Sequence, residues 1–162
     1  MAVLQIHTLP DPVLRQKAKR VTRIDGSIRK LIDDMIDTMR AASGAGLAAP
    51  QIGVSLRIAV IELPEAEAIT LINPQVIKRT GERILEEGCL SVPGYRGEIK
   101  RSVTVKVKAQ DRQGKEFRLK GEELLAQALE HEIDHLNGVL YIDHLEGSEK
   151  LFKIEAVPEQ GM

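Results

Sequence analysis

The run "ALEHEIDHLNG", residues 128 to 138, constrains this chain more than any other stretch. Leu124, Leu125, Ala128, Leu129, Ile133 and Leu136 recur at helical spacing between Gly121 and about Leu136, and Gly138 fits a C-terminal cap. On that helix His131 and His135 stand one above the other, with Cβ atoms about 5–6 Å apart, so both imidazoles can reach a single ion. His131 is seven residues from Leu124 and three from Ala128, which puts the pair on or near the apolar side. The helix is therefore expected at the centre of the fold. Glu132 flanks the same face and can take a proton from water without being a ligand itself.

A catalytic site of this kind needs three protein ligands and one open position, and the helix supplies two. Three continuations are open. A metzincin would carry a histidine six residues after His135, but that position is Tyr141, although Gly138 does match the glycine of that pattern. A thermolysin-like enzyme would use a glutamate on a following helix, and Glu155 in "LFKIEAV" lies at a suitable distance. The third continuation is Cys89 in "EEGCLSVPG", whose thiolate suits borderline and soft divalent ions and whose neighbour Gly88 allows close backbone approach.

The rest of the chain reads as one α+β domain over residues 1–162. A first helix runs from Ser27 to Ala42, with Ile28, Leu31, Ile32, Met35, Ile36 and Met39 on one side and Asp25 or Ser27 as cap. Residues 10 to 24, with two prolines and no sustained period, form an irregular arm. The runs "LRIAVIEL", "ITLINPQVI", "SVTVKVKAQD" and "KEFRLK" are strands, the last two joined through "DRQGK". A short helix is expected from about Ser148 to before Pro158. The fold class is thus small antiparallel or mixed β-sheets packed around a central metal-binding α-helix.

Composition narrows the partners. Lys plus Arg (23) nearly balance Asp plus Glu (24), so there is no bulk positive field for nucleic acid, and Lys106 and Lys108 alternate with Val103, Val105 and Val107 as the wet side of a strand. The N-terminal segment lacks a basic region before an apolar run, and nowhere do 18 apolar residues follow one another, so no membrane association is expected. A single cysteine excludes an intrachain disulfide and suits a reducing cytoplasm, and with no transit-like segment at the start a bacterial cytoplasm is expected.

Three segments, "GAGLAAPQ" (Gly44 to Gln51), "EGCLS" (Glu87 to Ser91) and "HEIDH" (His131 to His135), in that order, resemble the signature motifs of peptide deformylase. The resemblance reaches from the N-terminal arm to "NGVLYIDHL" and weakens beyond about Leu145. It implies Cys89, His131 and His135 as ligands of one divalent metal ion, Fe(II) in the cell and Zn(II) or Ni(II) in purified protein. It implies Glu132 as general acid and base, with Gln51 and the backbone N–H of Leu90 holding the formyl oxygen. Gly44, Gly46 and Gly88 would offer backbone to the peptide, Arg96 would contact it, and Leu124 and Ala128 would line an apolar pocket for methionine. Gln127 is a polar neighbour for such a pocket. Glu87 and Arg101 resemble an ion pair that steadies the cysteine, while His7 and His144 belong to no motif. The implied partners are N-formylmethionyl nascent peptides and, transiently, the ribosome.

Overall fold

Asp25 starts the first helix, α1 (Gly26–Ala41): its carboxylate accepts from the backbone N–H groups of Ser27 and Ile28 at 3.1 and 3.2 Å. The apolar stripe expected for α1 is buried through Ile32, Met35 and Met39. The computed structural model describes residues 2–147 and 150–153. Eight strands follow or flank the helices: β1 (Gly46–Ala48), β2 (Ile58–Ile61), β3 (Ile69–Thr80), β4 (Arg83–Cys89), β5 (Val92–Arg101), β6 (Thr104–Gln110), β7 (Glu116–Glu122) and β8 (Leu151–Lys153). The second helix, α2, is Leu124–Leu136.

The named strand pairs are all antiparallel. One sheet has the order β1-β2-β3-β6-β7 and the other β4-β5-β8. Alternation along the strands sorts the core into two layers. Ile58, Val60 and Ile72 join α1 residues on one side of the larger sheet, while Ile61, Leu71, Val105 and Val107 pack on the other against Ala128, Leu129 and Ile133 of α2. Lys106 stays exposed between two buried valines, as the period-2 pattern requires.

From Ala126 to Leu136 every residue of α2 except Asp134 is buried, so the helix is enclosed on almost all sides. It stops where Gly138 takes φ 75°: Gly138 N–H donates to His135 O and Val139 N–H to Asp134 O, a closing pair that needs a left-handed residue. A Cβ on Gly138 would also come within 2.6 Å of the Arg15 carbonyl oxygen in the arm.

Three sequence expectations are corrected. The helix begins at Leu124, not Gly121, because Gly121 and Glu122 still pair with Val105 and Thr104 in the ladder between β6 and β7. The helix expected from Ser148 to before Pro158 is not formed where the chain is described: Leu151–Lys153 is β8, pairing Leu151 with Gly97 and Phe152 with Arg96. Lys150 turns back to Gly147 through its backbone N–H, and the remainder of that span lies outside the described residues. The stretch "RILEEGCLSVPGYRGEIKR", absent from the strands read in the sequence, is a hairpin of two strands, β4 and β5, its glycines and exposed glutamates having masked the alternation.

The junction into α2 is strained. Glu123 adopts φ 52°, ψ −117°, a region that a residue with a Cβ visits at a cost of about 1–3 kcal/mol. Its carboxylate is mostly exposed and, among the described residues, pairs with Arg83, a contact worth about 0–1 kcal/mol. Glu123→Gly is therefore expected to raise stability by about 1 kcal/mol net, about 2–4 °C in Tm for a chain of this size. A thermal melt showing no change or a fall would remove the strain from this account.

Candidate metal centre

Helix α2 places His131 and His135 with their Nε2 atoms 3.1 Å apart. The turn of the β4–β5 hairpin brings Cys89 to them from 46 residues away, its Sγ 3.3 Å from His135 Nε2. One donor atom from each residue lies within 4.8 Å of the others, and all three residues are buried. Two ring nitrogens and a sulfur face one point with no acidic proton required by any other partner. Such electron donors at contact distance in a dry interior repel unless a cation or shared proton lies among them, so the residues present fit a divalent metal ion.

Glu87 fixes the tautomer that this requires. Its Oε2 accepts from His131 Nδ1 at 2.5 Å, leaving Nε2 as the lone-pair nitrogen toward Cys89 and His135. The same carboxylate accepts from Arg101 Nε and Nη2 at 3.0 and 2.7 Å and from Gln127 Nε2 at 3.1 Å. Burial opposes its ionisation, but His131 and Arg101 outweigh it and hold the carboxyl well below the usual range. Arg101 continues to Asp134 at 2.8 Å, so the cysteine hairpin is tied to α2 by buried charges. The ion pair expected between Glu87 and Arg101 is present, and Gln127, read from sequence as a pocket neighbour, turns its amide toward it.

The two imidazoles are driven apart electrostatically. For His131 burial opposes the charged form, yet Glu87 beside it raises the pKa. For His135 burial and then the neighbouring His131 lower it.

Glu132 has no exposed surface, and neither carboxylate oxygen has a hydrogen-bond partner among the described residues. Burial pushes its pKa up to about 7. A buried orphan carboxylate beside a cluster of ligand atoms marks where reacting groups or water belong. Gly46 on β1 makes the space for it, since a Cβ there would stand 2.4 Å from Glu132 Oε2.

Gln51 sits in a short 3-10 turn, Ala49–Ile52, fully buried. Its Oε1 accepts from Ala48 N–H at 2.9 Å, and its Nε2 points toward Cys89 Sγ at 3.8 Å and Ser91 Oγ at 3.2 Å. Leu90 opens the two-residue turn that follows Cys89. Gly88 is overlaid by Arg96, whose Nη1 would lie 3.1 Å from an added Cβ and whose Nε donates to Glu86 at 2.7 Å. Gly44 lines a cleft of about 500 Å³ with Arg40, Glu62 and Leu63. Leu124 is half-exposed at the start of α2, and Ala128, one turn on, is fully buried. A wider polar cleft of about 570 Å³, lined by Arg79, Lys100, Arg101, Glu130, Asp134 and His144, lies behind the ion pairs and contains none of the three ligand residues. His144 pairs with Asp134 at 2.8 Å and His7 with Asp11 at 2.6 Å, and neither ring is among the three converging ligand residues. Glu155 lies outside the described residues.

Ser91 is the neighbour that the sequence reading passed over. It stands in the quoted "EGCLS" segment, and its only signal was a small hydroxyl two residues from the cysteine.

A family model described as polypeptide deformylase matches residues 3–151. The peptide deformylase of Dehalococcoides mccartyi is 57% identical over 164 residues, covering 99% of this chain and 98% of its own. The crystal structure of a peptide deformylase from Legionella pneumophila has a TM-score of 0.88 at 51% identity, covering 92% of this chain and 89% of that one. A peptide deformylase from Synechococcus elongatus, solved in complex with actinonin, gives 0.88 at 44% identity over 91% of this chain and 81% of that one.

Proposed function

The chain belongs to the polypeptide deformylase family, and from that premise we propose that residues 1–162, as one domain, remove the N-terminal formyl group from formyl-methionine of nascent polypeptides and release formate. The observation that carries the reading is the meeting of Cys89, His131 and His135, with the unpartnered Glu132 carboxylate beside them.

Cys89, His131 and His135 would hold the divalent ion, which when bound would supply the Lewis acidity that lowers the pKa of water from 15.7 toward about 7 and so makes hydroxide available at neutral pH. Glu132 receives the proton that the attacking water gives up and returns it to the departing amine as the formyl C–N bond breaks. Attack builds negative charge on the formyl oxygen. The Gln51 Nε2 group, already aimed toward Cys89, and the backbone N–H of Leu90 donate to that oxygen, and one such donor is typically worth about 2.7–4 kcal/mol. Because Gln51, Glu132, His131 and His135 are buried, these donors act at low dielectric.

The peptide lies extended along β1, the end strand of its sheet, with the backbone of Gly44 just before that strand and of Gly46 within it as its partners, and passes the hairpin at Gly88. Arg96 contacts it from β5. Leu124 and Ala128 supply the apolar wall for the methionine side chain, and Gln127, its amide held by Glu87, presents its methylenes rather than its polar end. The native ion is Fe(II), with Zn(II) or Ni(II) taking its place in purified protein, as the mixed sulfur and imidazole donor set permits. The setting is the bacterial cytoplasm, at nascent chains and in passing contact with the ribosome. The relatives named above are bacterial, and no helix among the described residues is long and apolar enough to cross a membrane.

The test is a choice of substrate. Metal-loaded protein given formyl-Met-Ala should release formate, and the same preparation should leave the internal peptide bonds of casein intact. Casein cleavage without formate release would point to a metallopeptidase with Glu155 as third ligand instead.

A further inference from the structure

We propose that Ser91 is a positioning residue for the Gln51 amide, and that the N-terminal segment ahead of the arm sets its direction through the carbonyl of His7. The proposal rests on the reading of Gln51 as donor to the formyl oxygen.

A carboxamide is nearly symmetric in shape, so its neighbours decide which end faces the reacting atoms. At one end, Ala48 N–H donates to Gln51 Oε1 at 2.9 Å. At the other, Ser91 Oγ lies 3.2 Å from Gln51 Nε2. A hydroxyl could serve either role there, but this one has its single proton engaged. Ser91 Oγ donates to His7 O at 2.7 Å, and a carbonyl oxygen only accepts. Toward Gln51, Ser91 can therefore only accept, which requires Nε2 at that end. One of the two Nε2 protons is held by Ser91, and the other is turned toward Cys89 Sγ at a long 3.8 Å. That second proton is a donor aimed at the metal centre with a weak partner, the state required of a group that will meet a developing oxyanion.

The residues just ahead of the arm bind both segments that carry the pair. His7 N–H donates to Gln51 O at 2.6 Å and Leu9 N–H to Ser91 O at 3.0 Å. Gln51 and Ser91 are each fully buried, so water does not compete for these bonds. The contact from Ser91 to Cys89 Sγ, at 3.4 Å, uses the backbone N–H and survives loss of the hydroxyl.

The test is a double-mutant cycle on the metal-loaded enzyme with formyl-Met-Ala, measuring kcat, KM and metal content for Ser91→Ala, Gln51→Ala and the pair. Ser91→Ala should lower kcat about tenfold, short of the hundredfold or more typical of deleting such a donor, with KM and metal content unchanged. The pair should fall no further than Gln51→Ala alone. Independent of turnover, the Gln51 side-chain N–H signals of metal-free Ser91→Ala should exchange with solvent faster than those of the parent by NMR. Losses that multiply in the pair, loss of metal in Ser91→Ala, or unchanged Gln51 exchange would each overturn the proposal while leaving Gln51's own role standing. A Gln51→Ala enzyme with parental kcat would instead remove the oxyanion reading, and this proposal with it.

Discussion

Glu132→Ala, prepared anaerobically with a full complement of metal, is expected to release formate from formyl-Met-Ala about 10²–10⁴ times more slowly than the parent, the usual contribution of a positioned proton carrier. Among the described residues, the neighbouring carboxylates are already engaged. Glu87 is the nearest alternative in the buried network, but its oxygens already accept from His131, Arg101 and Gln127 and it is held ionised by them. Asp134 is occupied by Arg101 and His144. Metal content should be unaffected, because Glu132 supplies none of the three converging donor atoms. Stability should not suffer either: a buried carboxylate with no hydrogen-bond partner is a cost to the fold, so Glu132→Gln is expected to melt at or above the parent temperature while remaining as slow as the alanine variant. Full formate release by either variant would refute the role given to Glu132.

The helix at the heart of this site was legible because everything that defines it is local. The 3.6-residue period, the i, i+4 histidines and Gly138 as left-handed cap all lie within one short run, and the structure forms α2 there. Asp25 as cap of α1 is a second local signal that the fold uses. What surrounds Cys89 was harder to read, since strand pairing is decided between residues far apart. Leu85, Glu87 and Cys89 turn inward along β4 while Ile84 and Glu86 turn outward, a pattern that reads as loop because an inward residue is a glutamate and an outward one an isoleucine. Glu87 is inside only because Arg101, from the partner strand, and His131 are there to meet it. The same dependence hid Ser91, whose significance comes from a carbonyl 84 residues upstream. The three-motif resemblance carried the cysteine where periodicity could not. The start of α2 misled for the opposite reason: Gly121 and Glu122 continue the helical pattern on paper, but Gly121 is kept in β7 by pairing and by Leu129, whose Cδ1 would lie 2.6 Å from any Cβ there.

Cys89→Ala should leave the protein folded and empty of metal. The side chain removed is small and nearly buried, in a cluster with Ile99, Leu140 and Tyr141, and losing one sulfur from such a wall costs about 1 kcal/mol, a shift of a few degrees in the melt. The effect on the ion is of another order. His131 and His135 alone form a two-point chelate on one helix, whereas the thiolate closes the set from a different element and brings the only full negative charge among the ligands. Its loss should weaken binding by more than the about 10–100-fold typical of removing a partner that merely orients a ligand, enough that gel-filtered protein carries no stoichiometric metal. Glu155→Ala, assayed beside it, should retain one ion per chain. If the outcomes were reversed, with Glu155→Ala empty and Cys89→Ala filled, the hairpin would have to be a bystander to the metal, and the buried chain from Arg101 through Glu87 to His131 would then be stabilising a ligand set that the cysteine does not complete.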